Sequence, residues 1–219
     1  MPHGLILVDD HVAIAQALAS AFRANGFDPV EALPVSAQDV DGVLDAARRL
    51  HPAVALVDLN LGDDRSGLPL IAPLVGAGVQ VVAFTARDDE LALAESIEAG
   101  AAGFLNKGEP FETITGCVRR VAEGGPMLPV SRRAELLDLL RRIRAEGDER
   151  IALFRSLSPR EREVLADLIE GRSAKQIAVG RGLAVKTVRH QIEAIRDKLG
   201  VHSQLAAVAL AREVGWRMK

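Results

Sequence analysis

The sequence predicts an α/β fold, a doubly wound five-stranded parallel sheet, followed by a small all-α domain of four helices. Three observations predict it. Short apolar runs alternate with helical patterns from the start of the chain to about residue 123. These runs lack polar alternation, as strands buried on both faces do. From about residue 156 the pattern changes to a succession of helix-start signals.

The strand candidates are Leu5–Val8, a weaker run near Val30–Leu33, Ala53–Val57, Val79–Phe84 and Gly103–Leu105. Helical patterns fall between and after them, over about 11–25, 36–50, 67–77, 89–99 and 110–123. In the last, Phe111, Ile114, Val118 and Val121 share one face at 3.6-residue spacing. Five such βα units make a doubly wound sheet of the flavodoxin-like kind, in which ligands gather outside the carboxyl ends of the strands.

The chain has 219 residues, enough for one or two domains. Its single cysteine, Cys117, excludes an internal disulfide and reads as a small buried residue. No apolar run approaches the ~18 residues of a membrane span, and no signal peptide is visible. A cytoplasmic protein is expected. Net charge is −3 but unevenly spread. Residues 1–125 carry 8 Lys+Arg against 18 Asp+Glu, whereas residues 151–219 carry 13 against 7. An acidic half joined to a basic half implies two tasks, the basic one suited to nucleic acid.

Chemistry-bearing residues collect at the strand ends. "LILVDDH" ends in Asp9 and Asp10, "VALVDLN" in Asp58, "VVAFTAR" in Thr85 and "GFLNKGEP" in Lys107. Adjacent carboxylates repel unless a cation sits between them. Three carboxylates offer the hard oxygen donors that suit Mg²⁺. Asp58 is then available as a nucleophile, with Lys107 and Thr85 placed to receive phosphoryl oxygens. No glycine-rich phosphate loop follows the first strand, so a nucleotide fingerprint is absent.

With "VDDH", "VDLNLGDDRSGLPLI", "VVAFTAR" and "AGAAGFLNKGEP" in place, residues 4–124 resemble the receiver domain of two-component response regulators. The resemblance implies that Asp58 is the phosphoacceptor. It implies Mg²⁺ held by Asp9, Asp10, Asp58 and the backbone carbonyl of Asn60. Thr85 and Lys107 take the switch and phosphate-contact positions, and Phe104 takes the aromatic switch position where Tyr is commoner. Asn60 and Arg87 match positions that tune phosphoryl lifetime. The loop "LGDDRSG" departs from the family's usual run by placing Asp63 and Asp64 near the site. A histidine kinase is the implied partner.

"EGGPMLPV", residues 123–130, is a breaker. Residues 126–150 read as a helical linker with Ser131 as N-cap, an apolar stripe of Leu136, Leu137, Leu140 and Ile143, and an end in the charged run "EGDER". The expected domains are therefore 1–125, the linker 126–150, and 151–219.

In the last segment Ser158 and Glu161 form a capping box, as do Ser173 and Gln176. A third helix spans Leu183–Leu199, with Val188, Ile192, Ile195 and Leu199 buried, and a fourth runs from about Ser203 to Val214. A short helix, a turn with Gly180 and Gly182, and a longer amphipathic helix make a helix-turn-helix. Its outer face carries Lys186, Thr187, Arg189, His190, Glu193 and Arg196, of which Arg189 is the natural guanine reader.

"LSPREREVLADLIEGRSAKQIA" and "LAVKTVRHQIEAIRDKLGVHS" are similar to the LuxR-type helix-turn-helix of NarL/FixJ-family response regulators. The resemblance implies base contacts from Arg189, His190 and Glu193, and phosphate contacts from Lys175, Thr187 and Lys198. Ala184 stands where the family has a Ser cap. The whole chain is thus expected to be a phosphorylation-controlled transcription regulator that binds double-stranded DNA as a homodimer, and not an enzyme. The alternative is a DNA-binding regulator whose receiver-like domain works without phosphate. A phosphatase with an Asp nucleophile fits less well, because such enzymes carry it on the first strand in a DxD motif. The histidines (His3, His11, His51, His190, His202) show no metal-ligand spacing, and His11 reads as a helix-start residue.

Overall fold

The computed structural model describes residues 3–34, 40–62, 65–86 and 89–217. The chain divides into two compact units, Met1–Arg141 and Arg142–Lys219.

The first unit carries strands β1 (Leu5–Asp9), β2 (Val30–Pro34), β3 (Val54–Asp58), β4 (Gln80–Thr85) and β5 (Gly103–Asn106). Between and after them lie helices α1 (Val12–Ala24), α2 (Val40–Leu50), α3 (Leu68–Gly76), α4 (Glu90–Glu98) and α5 (Phe111–Ala122). The strands pair in parallel in the order β2-β1-β3-β4-β5. Leu5 is level with both Val30 and Val54, Val54 with Gln80, and Val82 with Gly103. The start of the helix expected at 36 lies partly outside the described residues; the described part begins at Val40.

Both sheet faces are covered, which is why the strands are apolar at successive positions rather than alternate ones. On one face Leu5, Leu7, Leu56, Val82 and Leu105 pack with Phe22 of α1 and Ile114, Val118 and Val121 of α5. On the other, Ile6, Val8, Ala55, Val57, Val81 and Ala83 pack with Val43, Leu70, Ile71, Leu93 and Ile97 of α2, α3 and α4. With every strand running the same way, all the carboxyl ends meet on one rim.

The linker differs from its expected form at both ends. Helix α6 (Val130–Arg155) begins one residue before Ser131, which is therefore not its N-cap, and "EGDER" does not end it. Burial explains both. Leu136 and Leu140 are 1% and 2% exposed and belong to the core face of the first unit that holds Leu93, Ala94 and Ile97. Arg133 donates to the carbonyls of Ala101 and Ala102 at 2.9 and 3.1 Å, and Arg132 pairs with Glu90 at 2.6 Å. At its other end Phe154 enters the core of the second unit, so the helix continues through the charged run to reach it. Of the expected stripe, Ile143 is left largely exposed.

The second unit adds α7 (Pro159–Ile169), α8 (Ala174–Arg181), α9 (Val185–Leu199) and α10 (Gln204–Glu213). Both capping boxes form as their sequences require, at Ser158–Glu161 and Ser173–Gln176. Gly182 ends α8 at φ +64°, a left-handed conformation that favours glycine, whereas Gly180 lies within α8 rather than in the turn. Ala184 precedes α9 without a side-chain cap. Arg181 joins α8 to α7 through Asp167 at 2.5 Å and through Glu163. Val188, Ile192, Ile195 and Leu199 bury the inner stripe of α9 against Val164, Leu165 and Leu168.

Candidate functional site

Asp9 and Asp58 close β1 and β3, and each is only 3% exposed. Lys107, just past β5, reaches across to both, donating to Asp9 Oδ2 at 2.5 Å and to Asp58 Oδ2 at 2.7 Å. The other oxygen of each carboxylate accepts a main-chain N–H two residues on: Asp9 Oδ1 from His11 and Asp58 Oδ1 from Asn60, both at 2.9 Å. Asp10, beside Asp9, is partly exposed. Oxygens of Asp9, Asp10 and Asp58 and a ring nitrogen of His11 lie within 4.8 Å of one another. Thr85 ends β4 on the same rim and is 6% exposed. Lys107 Nζ also sits 5.6 Å from the centre of the Phe84 ring.

Burial, the largest influence, pushes the Asp58 carboxyl above its ordinary range, and the Asp9 charge adds to it; the bonds from Lys107 and Asn60 pull the other way. For Lys107 burial works against the ammonium, but its bonds to Asp58 and Asp9 outweigh that and hold it above its ordinary value. Three clustered carboxylates faced by one ammonium leave an excess of negative charge. That donor set fits a small hard cation.

The structure thus brings Asp9, Asp10, Asp58, Asn60, Thr85 and Lys107 to one rim. Phe104 lies on β5, half-buried against the core face that α4 and α6 share. Asp63, Asp64 and Arg87 lie outside the described residues. Three further features were not read from the sequence. The His11 ring contacts Asp10 Oδ1 at 2.7 Å. Phe84 lies beside Lys107. Gly67 packs so tightly that a Cβ there would fall 2.0 Å from the Asp58 carbonyl oxygen. His11 directly follows the acid pair and was the legible one; the other two are tertiary contacts.

In the second unit Lys175, Lys186, Thr187, Arg189, His190 and Glu193 are exposed. His190 Nδ1 lies 3.7 Å from Glu193 Oε2. Arg196 is half-buried, with Nε shielded from solvent and without a hydrogen-bond partner. Lys198 is held by both oxygens of Glu161, at 3.0 and 2.7 Å. Among the described residues no helix is long and apolar enough to cross a membrane.

A five-stranded parallel sheet with this acid–lysine rim, followed by a helix-turn-helix, defines a phosphorylation-controlled regulator of transcription. Residues 5–119 match the response regulator receiver domain, and residues 155–211 match the bacterial regulatory proteins of the luxR family. The chain belongs to the response regulators that join these two domains, a family of transcription regulators rather than enzymes. It is 31% identical to the nitrate/nitrite response regulator protein NarP of Escherichia coli, over 95% of this chain and 94% of that one. It is 29% identical to the transcriptional regulatory protein LnrK of Bacillus subtilis, over 96% and 97%. A structure of two RcsB dimers bound to two parallel DNAs shares the fold, with a TM-score of 0.50 at 19% identity, covering 98% of this chain and all of that one.

Proposed function

We propose that Asp58 accepts a phosphoryl group from a histidine kinase, and that the acylphosphate sets how the second unit engages DNA. The observation that carries this reading is the Lys107 ammonium bridging Asp58 and Asp9 on a buried rim. Asp58 attacks phosphorus in line; the N–P bond of the phosphohistidine breaks, an O–P bond forms, and the imidazole leaves with the electron pair. Asp9, Asp10, Asp58 and the carbonyl of Asn60 would hold Mg²⁺, which neutralises charge on the phosphoryl oxygens when bound. Lys107 follows the new dianion and exchanges a carboxylate oxygen for a phosphoryl oxygen. The Thr85 hydroxyl donates to another, and Phe104 turns inward into the space vacated beside β4.

For the second unit, α9 is the reader. Arg189, His190 and Glu193 address base edges, with Arg189 placed for guanine O6 and N7. Lys175, Lys186, Thr187 and Arg196 address phosphates. Lys198, beside Arg196 in the last turn of α9, contributes charge there while bonded to Glu161. A homodimer of the phosphorylated chain places two readers on two half-sites, and the protein works in the cytoplasm. Residues 1–125 and 151–219 act as the phosphoacceptor and reader domains, and of the segment 126–150 expected to join them the first half packs with the phosphoacceptor domain through Leu136 and Leu140.

Intact mass after incubation with Mg²⁺ and acetyl phosphate tests the reading. One phosphoryl adduct is expected, dependent on Mg²⁺ and absent from Asp58→Asn. An adduct that persists in Asp58→Asn, or none under any donor, overturns it.

A further inference from the structure

We infer that His11 is a positioning residue for the cation site: its imidazole holds the Asp10 carboxylate in the orientation that receives the metal. The inference rests on the metal reading above. The three carboxylates are not held alike. Asp9 and Asp58 are each fixed twice, by Lys107 on one oxygen and by a main-chain N–H on the other. Lys107 does not reach Asp10. The contact that fixes Asp10 is the His11 ring, with Nδ1 at 2.7 Å from Oδ1; the same nitrogen lies 3.4 Å from Asp9 Oδ1, the longer and weaker of its two contacts.

The remaining oxygen is constrained from the opposite side. Gly62, in the loop after β3, has φ +69°, and a Cβ there would come within 2.7 Å of Asp10 Oδ2. The carboxylate is therefore seated between an imidazole and a bare glycine Cα. An ionised carboxylate only accepts, so Nδ1 carries the proton in this bond and has no lone pair for a metal while the bond lasts. Nε2 keeps a lone pair but lies on the opposite side of the ring and points away from Asp10, so in this orientation His11 acts on the ion through Asp10 rather than as a ligand. The main chain supports the placement: His11 is the residue before α1, and its own N–H is already bonded to Asp9.

Partners that orient metal-ligating groups characteristically change metal affinity by about 10–100-fold when removed. The His11 side chain is 62% exposed, so water competes and the lower end applies. The test is Mg²⁺ titration of the full-length protein by calorimetry, for wild type, His11→Ala, His11→Phe and His11→Asn. Asn can place an amide N–H where Nδ1 sits; Phe keeps the bulk without the donor. The expected result is a drop in Mg²⁺ affinity of up to about tenfold in both His11→Ala and His11→Phe, with His11→Asn close to wild type. Wild-type affinity in His11→Ala and His11→Phe overturns the inference alone and leaves the metal site standing. A loss in His11→Asn as large as in His11→Ala also overturns it. Wild type that binds no Mg²⁺ overturns the metal reading and this inference together.

Discussion

Glu161 accepts the Ser158 main-chain N–H at 2.7 Å while Lys198 donates to both its oxygens, and the residue is only 8% exposed. Burial, the largest influence, would push its carboxyl up, but the bonds from Lys198 and Ser158 outweigh it and hold the group below its ordinary value of 4.5. The sign of the pH dependence follows. A folded-state value below the unfolded one contributes stability above pH 4.5, and that contribution is lost as pH falls through the depressed value. Glu161→Gln should therefore cost the second unit about 1–2 kcal/mol near neutral pH. The gap between variant and wild type should close below about pH 4.5, measured by urea unfolding of the full chain at several pH values. A gap that stays constant down to pH 3 would mean the carboxylate charge contributes nothing. The same contact shows why a lone lysine is hard to read from sequence. Lys198 sits where a phosphate partner is expected, yet its ammonium also closes a capping box in its own fold.

Among the elements, α6 departs furthest from its sequence-based form. β1, β3 and β4 were legible because burial on both faces leaves uninterrupted apolar runs, whereas β2, broken by Glu31, left a weaker one; α7 and α8 were legible because Ser158 and Ser173 cap them through their own side chains, and α9, which has no side-chain cap, through its stripe of Val188, Ile192, Ile195 and Leu199. The rim was legible because each of its residues stands at or just beyond a strand end. No such signal marks the end of α6. Gly147 and the charges around it resemble a helix end, and only the distant pull of Phe154 and Leu136 into separate cores shows that the helix continues. The seating of Asp10 between His11 and Gly62 was hidden for a similar reason, since it depends on a loop 52 residues away in sequence. A consequence belongs to α6 itself. A boundary at residue 125 makes its first half a spacer, whereas the contacts of Leu136, Leu140 and Arg133 make it part of the receiver core. Leu136→Ala in the full chain should cost the first unit about 2–4 kcal/mol. Amide exchange in β4 and β5 would report the loss. Unchanged exchange there would restore the spacer.

At the scale of the whole molecule the charge distribution and the two-unit division describe one device. The acidic rim gathers negative charge, and the proposed phosphorylation of Asp58 would add more, while residues 151–219 hold 13 Lys+Arg against 7 Asp+Glu. A single reader helix touches few phosphates. Each phosphate neutralised contributes about 0.9 to the slope of log affinity against log salt. If phosphorylation pairs two copies on two half-sites, the number of phosphate contacts doubles while the chemistry of each reader is unchanged. The salt slope of the phosphorylated protein should then be about twice that of Asp58→Asn, measured by fluorescence anisotropy on a duplex selected from a random pool. Half-sites on one face of the duplex are separated by whole helical turns, so adding about 5 base pairs between them should remove the gain from pairing without changing the affinity of a single reader. If phosphorylation instead only unmasks a reader that binds as one copy, affinity rises but the slope stays the same and spacing has no effect. The slope, varied through the protein's own switch, and the spacing, varied in the duplex, therefore separate pairing from unmasking.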